Sequence, residues 1–181
     1  MMQRSVFLRR AGAMALTAAL TLSVPALAAE PTQSRQEDLD RLMAGLETAH
    51  PDLFANTPKL AFHARKAEIE ARLATESDVE FLFDLQSLTA LAEDSHTGVP
   101  VAGKIIDQVS AYPMALSWRD GKWYLTTAPA EHKALLGTQV TAVNGRDMES
   151  IVQAFGQVLS ADNPVKLRRQ YRQVCNLADY Y

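Results

Sequence analysis

The sequence predicts an α+β protein in which a helical bundle precedes a small β-hairpin and helix unit. Apolar residues recur at helical spacing as far as about residue 92, which indicates three successive helices. Short strand-like runs separated by glycine-containing turns follow residue 98. At 181 residues, of which 48% are hydrophobic, the chain is long enough to build cores of its own.

The first 28 residues have the pattern of a secretory signal. A basic front, an uncharged apolar run and a small-x-small cleavage site follow one another as Arg4, Arg9 and Arg10, residues 11–24, and Ala26-Leu27-Ala28. The apolar run is short for a membrane-spanning helix, which needs about 20 residues. We therefore expect residues 1–28 to be removed on export to the periplasm or the extracellular space, leaving no membrane span. Ala11-Gly12 after the Arg9-Arg10 pair favours Sec export over the twin-arginine route.

Composition and missing motifs exclude several classes of function. The formal net charge is −3 and only residues 166–172 are locally basic, which argues against a general nucleic-acid binder. The one cysteine, Cys175, can form neither an internal disulfide nor a multi-cysteine zinc site. The chain has no phosphate-binding loop, no glycine-flanked nucleophile elbow and no His-Glu-x-x-His pattern. No cofactor is implied.

The helical part, residues 29–102, contains the three predicted helices. The first begins at the capping-box pattern Ser34-Arg35-Gln36-Glu37 and ends near His50, before Pro51. The second begins at Thr57-Pro58, and the third at a further capping box, Ser77-Asp78-Val79-Glu80. Their apolar stripes are Leu39, Leu42, Met43 and Leu46; Phe62, Ile69 and Leu73; and Phe81, Leu85, Leu88 and Ala92. The third helix leads directly into Asp94-Ser95-His96-Thr97.

The second part, residues 103–163, is predicted to contain a small sheet and one helix. Strand-like runs at residues 114–118 and 123–127 flank Asp120-Gly121, which is a strong hairpin signal. A further strand over residues 139–143 is followed by an Asn144-Gly145 turn. The amphipathic helix after it has an apolar face of Met148, Ile151, Val152 and Phe155.

Residues 164–181 are predicted to form one more helical segment. Leu167, Tyr171, Val174 and Leu177 form its apolar stripe, with no later element available to cover them. An uncovered stripe of this kind needs a partner surface. We therefore expect residues 166–181 to contact a catalytic core absent from this sequence, a second copy of the chain or a partner protein.

His96 is the candidate catalytic residue. An imidazole titrates near neutral pH and can take a proton from a serine hydroxyl, so His96 can serve as a general base. The structural alternative is a histidine that only completes a helix end. A metal site formed by Glu93, Asp94 and His96 lacks a further ligand at convincing spacing, and no metal is expected. His50, at a helix end before proline, carries less information.

The order of these elements resembles the front part of tail-specific, or C-terminal-processing, serine peptidases, in particular their tricorn-core-like branch. Two stretches carry the resemblance, LTALAEDSHTGVP and LLGTQVTAVNGRDME, and with HPDLF it spans about residues 36–163. The second stretch is similar to the PDZ sequence Gly-Asp-x-Ile-x-x-Ile-Asn-Gly. The resemblance implies a PDZ-like domain at residues 103–163 and a role for His96 as base to a serine in a crotonase-like core.

Residues 164–181 are too few to contain that core, so the resemblance implies a chain that is inactive alone. Family members with a serine-lysine dyad lack this histidine, which would leave His96 structural, and no Gly-Leu-Gly-Phe-type loop precedes Met114. Three functions stay open. The chain is part of an exported peptidase acting on peptides or proteins, a non-catalytic peptide-binding or regulatory module, or a carrier-like binding relative.

Overall fold

The computed structural model describes residues 31–181 and has an α+β fold, as the sequence predicts. The predicted signal, residues 1–28, lies outside the described residues. Three helices come first: α1 (Pro31–Ala49), α2 (Lys59–Glu70) and α3 (Asp78–Ala90). They enclose one apolar core, to which the three predicted stripes contribute Leu39, Met43, Leu46, Phe62, Ile69, Leu73, Phe81, Leu88 and Ala92.

Two predicted helix starts are corrected by the structure. α1 begins at Pro31, so Ser34 lies inside the helix and is not its cap. Proline is accommodated in a first helical turn, where its missing N–H has no intrahelical partner to lose. The N-cap of α2 is Pro58, not Thr57, and it makes no side-chain capping bond.

The start of α3 is confirmed. The Ser77 side chain accepts a hydrogen bond from the Glu80 N–H at 3.2 Å, and the Glu80 carboxylate accepts one from the Ser77 N–H at 2.7 Å. Arg35 of α1 secures the preceding turn, since its guanidinium donates to the Glu76 carbonyl at 2.7 Å and to Asp78 at 2.7 Å. The direction of α3 is thus set by local and long-range bonds together.

An antiparallel sheet in the order β1-β2-β3 begins the second part of the chain. Its strands are β1 (Ala115–Arg119), β2 (Lys122–Thr127) and β3 (Gln139–Val140). Asp120 and Gly121 turn the β1–β2 hairpin with φ of 50° and 76°. Two positive φ values in succession are what a tight hairpin turn requires, so the Asp-Gly prediction is confirmed.

The strand predicted over residues 139–143 is wrong in its extent. β3 ends at Val140, and β4 (Ala142–Val143) pairs instead with β5 (Arg146–Asp147). The chain bends at Thr141, whose carbonyl accepts the first helical N–H, that of Met148, at 3.1 Å. The helix that follows, α4 (Met148–Phe155), buries all four predicted apolar residues, Met148, Ile151, Val152 and Phe155.

The final helix, α5 (Pro164–Val174), packs against this sheet. Tyr171 is fully buried, with its ring edge-on to Trp123 at a centroid distance of 5.0 Å and to Phe155 at 4.8 Å. Cys175 is also buried in this second core. β2 and α4 therefore cover Tyr171 of the predicted stripe, while Leu167, Val174 and Leu177 are only partly buried. A partner surface for residues 166–181 stays a prediction.

The end of the chain connects the two cores. The Tyr180 hydroxyl donates to Gln86 of α3 at 2.8 Å, and the Tyr180 ring lies 4.5 Å from that of Phe83. Residues 110–112 pair with residues 176–178 through two backbone hydrogen bonds of 2.7 Å. Over residues 31–181, no helix is both long enough and apolar enough to cross a membrane.

Candidate functional site

The segment containing His96 begins where α3 ends, at a residue of unusual backbone conformation. Glu93 has φ of 49°, in the left-handed region. A residue with a side chain adopts that region at a cost of about 1–2 kcal/mol. Asp120 and Asn144 also have positive φ, but both occupy hairpin turns and belong to types that tolerate it. Glu93 redirects the chain so that residues 94–99 run across the junction of the two cores.

The carboxylate of Asp94 organises this loop. Its Oδ1 accepts the backbone N–H of His96 at 3.1 Å and its Oδ2 accepts the hydroxyl of Thr97 at 2.7 Å. The Thr97 hydroxyl, together with the His96 N–H and His50, holds the pKa of Asp94 below its ordinary value, against an opposing effect of burial. Asp94 is therefore ionised at neutral pH.

His50, at the end of α1, faces the same carboxylate. Its Nε2 lies 3.3 Å from Asp94 Oδ2, within ion-pair distance but without the alignment of a hydrogen bond. Its Nδ1 accepts the N–H of Asp52 at 3.2 Å, and this bond assigns the proton of the neutral ring to Nε2, toward Asp94. Sequence reasoning missed this pair, because the two residues lie on different elements with no shared spacing.

Contacts with the second part of the chain hold the loop from its other side. The Asp94 N–H donates to the Ser160 hydroxyl at 3.0 Å, and the Ser95 hydroxyl hydrogen-bonds to Asp162. Gln170 of α5 donates to the Ser95 carbonyl at 3.4 Å. Because its hydroxyl is engaged elsewhere, Ser95 is not a nucleophile partner for His96.

The side chain of His96 is exposed and borders two clefts. One cleft, of about 680 Å³, lies between the loop and α5; the other, of about 720 Å³, lies along α1. Among residues 31–181 no side chain hydrogen-bonds to the His96 imidazole. The hydrogen bond that His96 makes is donated by its backbone N–H to Asp94. The ring is therefore available to accept a proton, but no carboxylate orients it and no serine lies in hydrogen-bond contact with it.

The side chains that line the cleft on the α5 side are uncharged residues and His96, among the residues that the structure describes. None of the described side chains that line it belongs to Asp, Glu, Lys or Arg. Its apolar surface comes from residues such as Val158, Val174 and Leu177, and its polar surface includes the amides of Gln173 and Asn176. Amides and apolar side chains match the backbone and uncharged side chains of a peptide.

The sequence predicts no metal site at Glu93, Asp94 and His96. Within residues 31–181, no group of three or more His, Cys, Asp or Glu side chains is placed to hold a metal ion. Asp94 uses both carboxylate oxygens within the loop, and Glu93 is exposed.

Comparisons of the chain with protein-family models, with characterised proteins and with solved structures found no significant match.

Proposed function

We propose that this chain supplies the general base, His96, of an exported serine-type peptidase of the tail-specific kind. One observation carries the proposal: the backbone of His96 is held by Asp94 while its imidazole is exposed between two clefts and makes no hydrogen bond within residues 31–181. A histidine that only completes a helix end uses its ring for that purpose. His96 leaves its ring free for a substrate or a second catalytic group.

In the proposed reaction the neutral imidazole of His96 removes the proton of a serine hydroxyl as its oxygen attacks a peptide carbonyl carbon. The resulting imidazolium returns the proton to the leaving amine when the C–N bond breaks. Water, deprotonated by the same imidazole, then cleaves the acyl-enzyme ester. The serine and the donors that stabilise the oxyanion are assigned to protein outside residues 31–181, since Ser95 and Ser160, which line the cleft with His96, bond to Asp162 and Asp94 and not to the His96 ring.

Residues 103–163 take the PDZ-like place in this arrangement. The β1–β2 hairpin, the short β4–β5 pair and the apolar face of α4 support this assignment, together with the LLGTQVTAVNGRDME stretch that runs from before β3 into α4. The substrate class that follows is a peptide or an unstructured protein segment. The signal-like pattern of residues 1–28 supports a reaction in the periplasm or outside the cell.

The proposal is tested on the gene product as its own host makes it. Peptidase activity toward an unstructured peptide is compared among the wild type, His96→Ala and His132→Ala, the last being a matched exposed histidine at a distance from the loop. Loss of the base should lower kcat/KM by about 10³-fold or more, while His132→Ala keeps full activity. Intact mass measured on the same preparation reports whether the chain begins near Ala29.

Two results would overturn the proposal. Full activity of His96→Ala would show that His96 is not the base. A wild-type protein that binds the peptide but neither cleaves it nor reacts with a fluorophosphonate would favour the non-catalytic peptide-binding or regulatory module.

A further inference from the structure

We propose that Asp94, supported by His50, is the positioning residue that fixes His96 at the edge of the two clefts. This role rests on the proposed function of His96 as a base. It assigns the carboxylate not to the imidazole, as in a catalytic triad, but to the backbone that carries the imidazole.

Several hydrogen-bond donors converge on the carboxylate of Asp94. Asp94 faces three donors: the backbone N–H of His96, the hydroxyl of Thr97 and Nε2 of His50. An ionised carboxylate is an acceptor on both oxygens and suits all three. An asparagine amide at this position has one NH₂ group, which in either orientation would face a donor. The three donors around Asp94 therefore require both its negative charge and two oxygens that only accept hydrogen bonds.

Contacts from both cores meet at Asp94. The side chain faces His50 at the end of α1, and the backbone N–H donates to Ser160 beyond α4. A residue that only shaped a local turn would need neither contact. A misplacement of about 1 Å can cost a catalytic group on the order of 10²-fold in rate, so a fixed loop is what a base at a shared cleft requires.

Glu93, the residue before the loop, has a strained backbone conformation. Glu93 adopts a left-handed backbone that glycine or asparagine would adopt at lower cost. Strain of this kind persists where the surrounding contacts over-determine the conformation, and it concentrates at functional sites. The contacts of Asp94 on both sides supply that over-determination.

The test compares variants of the same gene product in the peptidase assay. Asp94→Asn keeps the size of the side chain and should lower kcat by about 10- to 100-fold with KM little changed for a peptide bound in the α5-side cleft, because Asp94 does not line that cleft. Asp120→Asn is the matched control: Asp120 is an exposed residue of the β1–β2 turn, outside the His96 loop, and its loss should leave kcat within about twofold of the wild type.

His50 provides a second, independent pair of variants. His50→Gln retains an N–H donor and should stay near wild-type kcat, whereas His50→Ala should fall toward the value of Asp94→Asn. If Asp94→Asn does not fold, as judged by its circular dichroism, this pair decides. Higher kcat for the glutamine variant supports positioning, and equal kcat values overturn it.

The failures of the two proposals are distinguishable. Full kcat in folded Asp94→Asn, with His96→Ala inactive, would overturn the positioning role alone. A wild type that stays inactive in an extract of its own host, where any protein that supplies the serine is present, would overturn the proposed function and the positioning role together, as would a fully active His96→Ala.

Discussion

A pair of carboxyl groups at the α2–α3 junction is the most unusual residue-level feature outside the loop. Both carboxyl oxygens of Glu76 are buried and lack a hydrogen-bond partner. Nearby Asp84 is 7% exposed and is held by Arg72 and by Arg65, the latter at 2.9 Å. Burial, followed by the nearby negative charge of Asp84, raises the pKa of Glu76 to about 7. A proton on Glu76 supplies the donor that the two carboxylates lack.

Glu76 should make the stability of the protein depend on pH. Because its folded-state pKa is raised from 4.5 to about 7, the folded chain binds this proton more tightly than the unfolded chain. Stability from this source is complete below about pH 4.5 and is lost as the pH rises to about 7. Glu76→Gln should remove this slope and increase the free energy of unfolding at pH 8 by about 1–3 kcal/mol.

Urea unfolding of the wild type and Glu76→Gln at several values between pH 5 and pH 8 measures this slope. Glu37→Gln, at an exposed position of α1, is the control. Parallel curves for wild type and Glu76→Gln across this range would contradict the prediction.

At the scale of elements, α5 is a structural part of the second core rather than a free surface. Tyr171 contacts β2 and α4 through its ring, and its hydroxyl lies 2.7 Å from that of Tyr181. The Tyr181 hydroxyl in turn donates to the Cys175 carbonyl at 2.8 Å. The helix and the final turn of the chain are therefore stabilised by the same aromatic cluster.

Tyr171→Ala should destabilise the protein by about 3–5 kcal/mol, because it leaves a large cavity between α5 and the sheet. Val165→Ala is the control on the same helix; Val165 is 73% exposed, and its truncation should change stability by no more than about 0.5 kcal/mol. Urea or thermal unfolding measures both effects. Equal, small losses in the two variants would show that α5 does not pack as described.

At the scale of the whole molecule, the His96 loop lies where the two cores meet. Gln86 of α3 accepts from Tyr180 and donates to the Val99 carbonyl at 2.9 Å, while Ser160 accepts from Asp94. The loop is thus fixed only when both cores are folded and joined. This dependence connects the position of the candidate base to the integrity of the complete fold.

Residues 29–181 alone should be monomeric and should cleave no peptide bond. Tyr171 of the α5 stripe is buried within the chain, which leaves less apolar surface for self-association. A base without a nucleophile and oxyanion donors lacks both the covalent step and the main electrostatic stabilisation. Light scattering measures the mass in solution, and a fluorophosphonate probe reports reactive serines. Peptide turnover together with labelling of a serine within residues 29–181 would contradict the prediction.

Features that depend on neighbouring residues could be predicted from the sequence. The Ser77 capping box, the Asp120-Gly121 turn and the apolar face of α4 were predicted correctly, because each is a pattern within a few positions of the chain. The same reasoning singled out His96 as the candidate base. Export, the PDZ-like assignment and peptidase function stay predictions.

The contacts between distant parts of the chain became known only from the folded structure. The contact of His50 with Asp94, the anchoring of Asp94 by Ser160 and the burial of Tyr171 each join parts of the chain that share no sequence spacing. Periodicity shows which face of a helix is apolar, but not which surface covers it. The physical reason is that such contacts depend on where the two cores meet, which is set by the packing of all the elements together.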